Sequence, residues 1–278
     1  MKSSWRTARS LVAGLLLLPG TAAAHTVFSV PVVTQIQGVT FYRTSITIGN
    51  ANFSVASSVR MTLSYRSPAD GSFQQTVYSP DRLGPFSVLF LEDVIQAFKD
   101  AGAIRSQDAD LALFGTLRVE LDDIEVPFEA SLVARTYSPA SAGGTEGIAY
   151  VGRDPLSAGS TTRLRTLLRS GSFGTDGSTR ANVGFVNESA VPTDLILSTY
   201  DGDTSSQLGE VSLSSIIGRL LAPSEVVQLN NVFQSLPPAT HKLIVEATVT
   251  APGARVSGYA VQLDNTTNDG SLFLMAEE

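Results

Sequence analysis

Apolar and polar residues alternate along much of this chain. Ser45-Ile46-Thr47-Ile48, Val59-Arg60-Met61-Thr62-Leu63 and Leu117-Arg118-Val119-Glu120-Leu121 all repeat with period two. Successive side chains of an extended segment point to opposite faces, so this spacing predicts strands with one dry face and one wet face. The dry faces need a second layer to cover them. Asp70-Gly71, Asp176-Gly177 and Asp201-Gly202 supply turns between short strands. The expected architecture is therefore all-β, built of two-sheet antiparallel sandwiches, with an open barrel as the alternative. Helix is minor, confined to Asp93 to Ala101 and Leu213 to Leu221, where the apolar spacing fits about two turns against a sheet edge.

The pattern also recurs. Arg43 to Asn50 aligns without a gap on Arg180 to Asn187, each beginning with Arg and ending with Asn. Leu63-Ser64-Tyr65 before Asp70-Gly71 answers to Leu197 to Tyr200 before Asp201-Gly202. Val88 to Phe98 matches Val226 to Leu236, setting Leu91, Val94 and Phe98 against Leu229, Val232 and Leu236. Gly115 to Glu120 with Leu132 to Tyr137 corresponds to Lys242 to Glu246 with Gly258 to Leu263. Four blocks in one order point to two related domains. The 278 residues also suit two domains. The expected divisions are residues 25–138 and 139–278, with a Ser-, Ala- and Gly-rich linker within 139–159. Glu146 to Val151, inside that stretch, reads as the counterpart of Val27 to Val33 and as the first strand of the second domain.

Residues 1–24 read as a secretory signal: Lys2, Arg6 and Arg9, the apolar run Leu11 to Leu18, a breaker at Pro19-Gly20, and small residues up to Ala24. The apolar run is far short of the roughly 20 residues that a spanning helix needs. Membrane insertion is therefore not expected. Cleavage after Ala24 would leave 16 basic against 26 acidic residues, a formal balance of −10. That excess disfavours nucleic acid and anionic lipid surfaces as partners. There is no cysteine, so disulfides, thiolate metal sites and cysteine nucleophiles are excluded together. The expected location is outside the cytoplasm, in the periplasm, at the cell surface or in the medium.

The order Val30-Pro31-Val32-Val33, Arg43-Thr44 to Asn50, Leu91 to Val94 and Val133 to Tyr137 resembles a group of secreted bacterial proteins built from tandem immunoglobulin-like sandwich repeats. Leu167 to Arg169, Arg180 to Asn187, Leu229 to Val232 and Asp264-Asn265 are similar to a closing repeat of the same group. The resemblance spans nearly all of the chain after residue 24. It implies a sandwich fold and export, and brings no catalytic residue with it.

Candidate chemistry is sparse. Cleavage after Ala24 would make His25 the first residue, offering amine and imidazole to copper, but a site needs a second imidazole and only His241 is available. No G-x-S-x-G elbow appears. Acids pair at Glu92-Asp93, Asp108 with Asp110, Asp122-Asp123 and Asp201 with Asp203. A hydrolase would hold two of them across a cleft, whereas their sequence surroundings suggest solvated loops. Asp201-Gly202-Asp203 and Asp264 to Asp269 offer oxygen ligands for calcium without the spacing of an EF-hand. Asn50 and Asn187 read as turn caps. Arg43 and Arg180 read as partners for acids of their own domains. Phe41, Phe53, Phe73, Phe86, Phe90 and Phe98 read as core. Trp5 is the sole tryptophan and lies in the signal, which weakens glycan stacking. These residues point to an exported structural or interaction module with a protein or glycan ligand, no assigned catalytic, cofactor or metal residue, and copper binding at His25 as the alternative.

Overall fold

A computed structural model describes residues 24–37, 41–124, 130–139, 145–152, 163–169, 179–232, 240, 242–264 and 270–277. Asp176-Gly177, His241 and residues 265–269, singled out above, lie outside the described residues, as does nearly all of the expected signal.

Residues 24–151 form one connected sheet system. Its strands are β1 (Ala24–Gln37), β2 (Phe41–Asn50), β3 (Ser58–Arg66), β4 (Phe73–Tyr78), β5 (Ser87–Leu91), β6 (Leu113–Ile124), β7 (Ala130–Pro139) and β8 (Thr145–Val151). All pairs are antiparallel, in the order β4-β3-β6-β1-β2-β7-β8, with β5 on β2. The long strand β1 joins two layers. It pairs with β6 through most of its length, carries an irregularity between Val30 and Val33, and meets β2 only at Gln35 to Gln37. The alternating inward residues Met61, Leu63, Leu117 and Val119 of one layer pack with Ile46, Ile48, Leu132 and Ala134 of the other in one core.

Helix α1 (Val94–Asp100) closes that core, burying Val94, Ile95 and Phe98 completely. Asp93 caps it by accepting the Gln96 amide at 3.0 Å. The Phe98 ring meets Tyr78 edge to face at 5.5 Å.

The remaining strands are β9 (Arg163–Arg169), β10 (Thr179–Asn187), β11 (Leu195–Asp201), β12 (Gln207–Ser212), β13 (Val226–Leu229), β14 (Lys242–Val249), β15 (Val256–Asp264), β16 (Gly270–Leu274) and β17 (Ala276–Glu277). They make two antiparallel sheets, β13-β10-β15-β16 and β12-β11-β14-β9-β17, over a second core that includes Phe185, Leu197, Leu213 and Val245. Setting each strand against the one eight places later turns β4-β3-β6-β1 into β12-β11-β14-β9, and β5-β2-β7-β8 into β13-β10-β15-β16. The sheets form sandwiches, and none closes into a barrel.

Two expectations are corrected. Glu146 to Val151 forms a strand, but as β8 it pairs with β7 and so ends the first sheet system instead of opening the second. Its likeness to Val27 to Val33 marked it as extended, while its partner was not legible. Helix α2 (Leu213–Ile217) stops four residues short of Leu221, because Gly218 takes the left-handed conformation at φ 75° and ends it.

The two halves meet through a small third cluster. Val186, Val226, Tyr259 and Val261 are buried there against Val32, Phe114 and Ile148. Gly184 permits this packing: a Cβ at that position would lie 2.0 Å from the Tyr259 ring. Polar ties surround the cluster. Glu225, 3% exposed, receives Arg66 of β3 at 2.8 Å and Arg219 at 2.6 Å. Glu188 accepts from Ser29 at 3.0 Å and Ser257 at 2.9 Å. Thr116 donates to the Ser224 carbonyl at 2.8 Å.

Candidate functional site

The acids expected in solvated loops divide into distinct roles. Asp108 is fully buried, which corrects the expectation for that residue. Its carboxylate accepts from Ser67 Oγ at 2.6 Å, Tyr65 OH at 3.1 Å and Arg105 Nε at 3.0 Å. Burial pushes its pKa up, but these donors outweigh that effect and hold the carboxyl below the ordinary value. Burial and the Asp108 hydrogen bond together raise the Tyr65 phenol. Tyr65, Ser67 and Arg105 all belong to one corner of the first sandwich, so the cluster fastens β3 to the 3-10 turn Ser106–Asp108.

The other pairs are peripheral. Glu92 meets Arg43 at 2.7 Å, so Arg43 pairs within its own half. Asp93 caps α1. Asp201 accepts the Asp203 and Thr204 amides at 2.9 and 2.8 Å, an Asx turn whose backbone donors lower its pKa, and Asp203 pairs with Lys242. His25 Nδ1 lies 2.7 Å from Asp122, with Glu120 3.9 Å from Nε2. Among the described residues no three His, Asp or Glu side chains gather as metal ligands.

Asn50 and Asn187 do more than cap turns. The Asn50 side chain donates to the carbonyls of Val55, Leu83 and Gly84 at 3.0–3.1 Å and accepts the Asn52 amide at 3.0 Å. Asn187 donates to Val191 and Leu221 at 2.8 and 3.0 Å and accepts the Ser189 amide at 3.0 Å. In each case the distant carbonyl belongs to an isolated bridge, Ser57 with Leu83 and Thr193 with Leu221.

The phenylalanine expectation fails for most of its members. Phe98 is buried, but Phe53 is 73% exposed, Phe86 64% and Phe90 60%. The run Ser87–Leu91 is too short and too uniformly apolar for periodicity to assign its faces. In the fold Leu89 and Leu91 pack on the core, while Val88 and Phe90 face out. Phe90 stands in register with Thr47, Thr47 with Val133, and Val133 with Val151, giving a largely apolar row across the outer face. Phe86 and Phe53 form an edge-to-face pair at 5.0 Å beside the row. Phe86 is held at φ 48°, an unusual conformation for a bulky side chain.

Two recesses lie where the halves meet. A narrow one of about 80 Å³ includes Ser29, Thr116, Glu188 and Ser224 in its lining. The larger, of about 530 Å³, has walls from Val32, Phe114 and Ile148 of the first half and Val261 and Leu263 of the second, with Arg180 and Asn182 among its polar residues. Neither is lined by two acids among the described residues. No signal in a single strand could have found these recesses, because each needs residues from both halves.

In comparisons with known proteins, no family model and no curated relative matches the chain.

Proposed function

We propose that this chain is an exported, non-catalytic interaction module made of two copies of one immunoglobulin-like sandwich unit, and that it holds a partner protein along β5 and the adjoining outer face. The observation that carries this reading is the exposed group Phe53, Phe86, Val88 and Phe90. Contiguous exposed apolar surface is costly in water and characteristic of contact surfaces. Among the described residues strand β5 pairs with β2 alone, and it contains neither a charge nor a proline, the usual devices that keep an edge from pairing. An extended segment of a partner can add main-chain hydrogen bonds to such an edge while its side chains meet the aromatic pair. Support for two copies comes from the matching strand orders and the shared Asn50 and Asn187 bonding. Support for export is the basic, apolar and small-residue sequence up to Ala24.

The test is capture of a defined partner from envelope or extracellular fractions. The wild-type chain should retain it, and Val88→Lys with Phe90→Lys, at outward positions that leave the core intact, should lose it by at least about tenfold. Equal retention by wild type and variant, or none by either, rejects the proposed surface.

A further inference from the structure

We infer that the larger recess between the two sandwiches is a binding site for an organic anion with an apolar body, of the chemical class of a medium-chain carboxylate. Val32, Phe114, Ile148 and Leu263 pack against the small cluster between the halves, yet each stays only partly buried. The apolar seam between the sandwiches is therefore incompletely closed, and at about 530 Å³ the opening has the size of a small-molecule site. Its apolar walls favour a hydrocarbon body over water.

The charge of the lining selects the head group. Among the described lining residues Arg180 is the sole charged side chain. Arg180 is already engaged within the chain. A guanidinium nevertheless carries five N–H donors in a fixed fork, so an anion can share it with an existing partner. Beside apolar walls the attraction between a cation and an incoming carboxylate is stronger than in bulk water. This site is independent of the β5 face: its first-half residues Thr136 and Ile148 are register partners on the core-facing side of β7 and β8, whereas Val133 and Val151 face out.

The experiment is isothermal titration of the whole chain with decanoate and, separately, decan-1-ol. Decanoate should bind saturably, and the alcohol at least about tenfold more weakly, the scale of one charge-assisted hydrogen bond. Arg180→Gln should remove that preference. Because Arg180 also has a partner in the chain, Ile36→Glu provides a second variant. Ile36 is 39% exposed and lines the recess, so a carboxylate there should weaken decanoate binding by about tenfold without disturbing the core. Absence of saturable decanoate binding, equal binding of decanol, or unchanged decanoate affinity in both folded variants would each overturn the inference.

Discussion

At the scale of single residues, the buried amides carry most of what is specific about this fold. A carboxamide is suited to the Asn50 site because it offers two N–H donors to carbonyls and one oxygen to an amide N–H. Leucine would leave those carbonyls unpaired, and aspartate would turn a negative oxygen toward them. We predict that Asn50→Ala and Asn187→Ala each cost about 2–4 kcal/mol, since several buried polar groups lose partners at once. Asn50→Asp should cost at least as much as the alanine change at neutral pH. Urea unfolding followed by circular dichroism measures all three, and an aspartate variant as stable as wild type would contradict the donor role. The sequence marks both asparagines as strand ends, and the bond to the residue two positions on fits that local reading. The carbonyls of Leu83 and Leu221 were not legible, because they are reached only once the intervening strands have folded.

At the scale of elements, alternation located the strands well wherever one face is dry and the other wet. It failed where an element is too short, as in β5, or where the outcome depends on a neighbour, as in β8. The same limit applies to Asp108, whose surroundings resemble a polar loop until β3 and the 3-10 turn bring Tyr65, Ser67 and Arg105 around it. The lowered pKa of this buried carboxyl has a definite consequence for acid stability. A carboxylate whose folded pKa lies below its unfolded value stabilises the fold above the unfolded value, near 4, and loses that contribution as pH falls through the folded value. Asp108→Asn should therefore be destabilised at pH 7 by about 3 kcal/mol, having left Arg105 without its buried counter-charge. The difference from wild type should shrink as pH drops from about 5 toward 2. Thermal midpoints across that range check it, and a constant difference would show that Asp108 does not titrate with folding.

At the scale of the whole molecule, the question is what holds the two sandwiches together. Among the described residues the apolar cluster between them buries four side chains, small beside the core of either sandwich. Directional contacts must then set much of their relative orientation. Glu188 and Glu225 each take a donor from both halves, and the donor each takes from the first half, Ser29 and Arg66, lies 159 residues away in sequence. Neither glutamate stands out in the sequence, because nothing local distinguishes a carboxylate that will be covered by the other half. Removing one member of a buried charged group is expensive, since it strands the others. Glu225→Gln leaves Arg66 and Arg219 facing a neutral amide, at a cost of about 3–5 kcal/mol. The loss falls on the joint and leaves both cores intact. Calorimetry should accordingly show one cooperative transition in the wild-type chain and two separated transitions in Glu225→Gln. In a double-mutant cycle, Arg66→Met with Glu225→Gln should show coupling of about 1 kcal/mol or more, as expected for residues in direct contact. A single transition at an unchanged midpoint would mean that the Glu225 charge is not needed to hold the halves together.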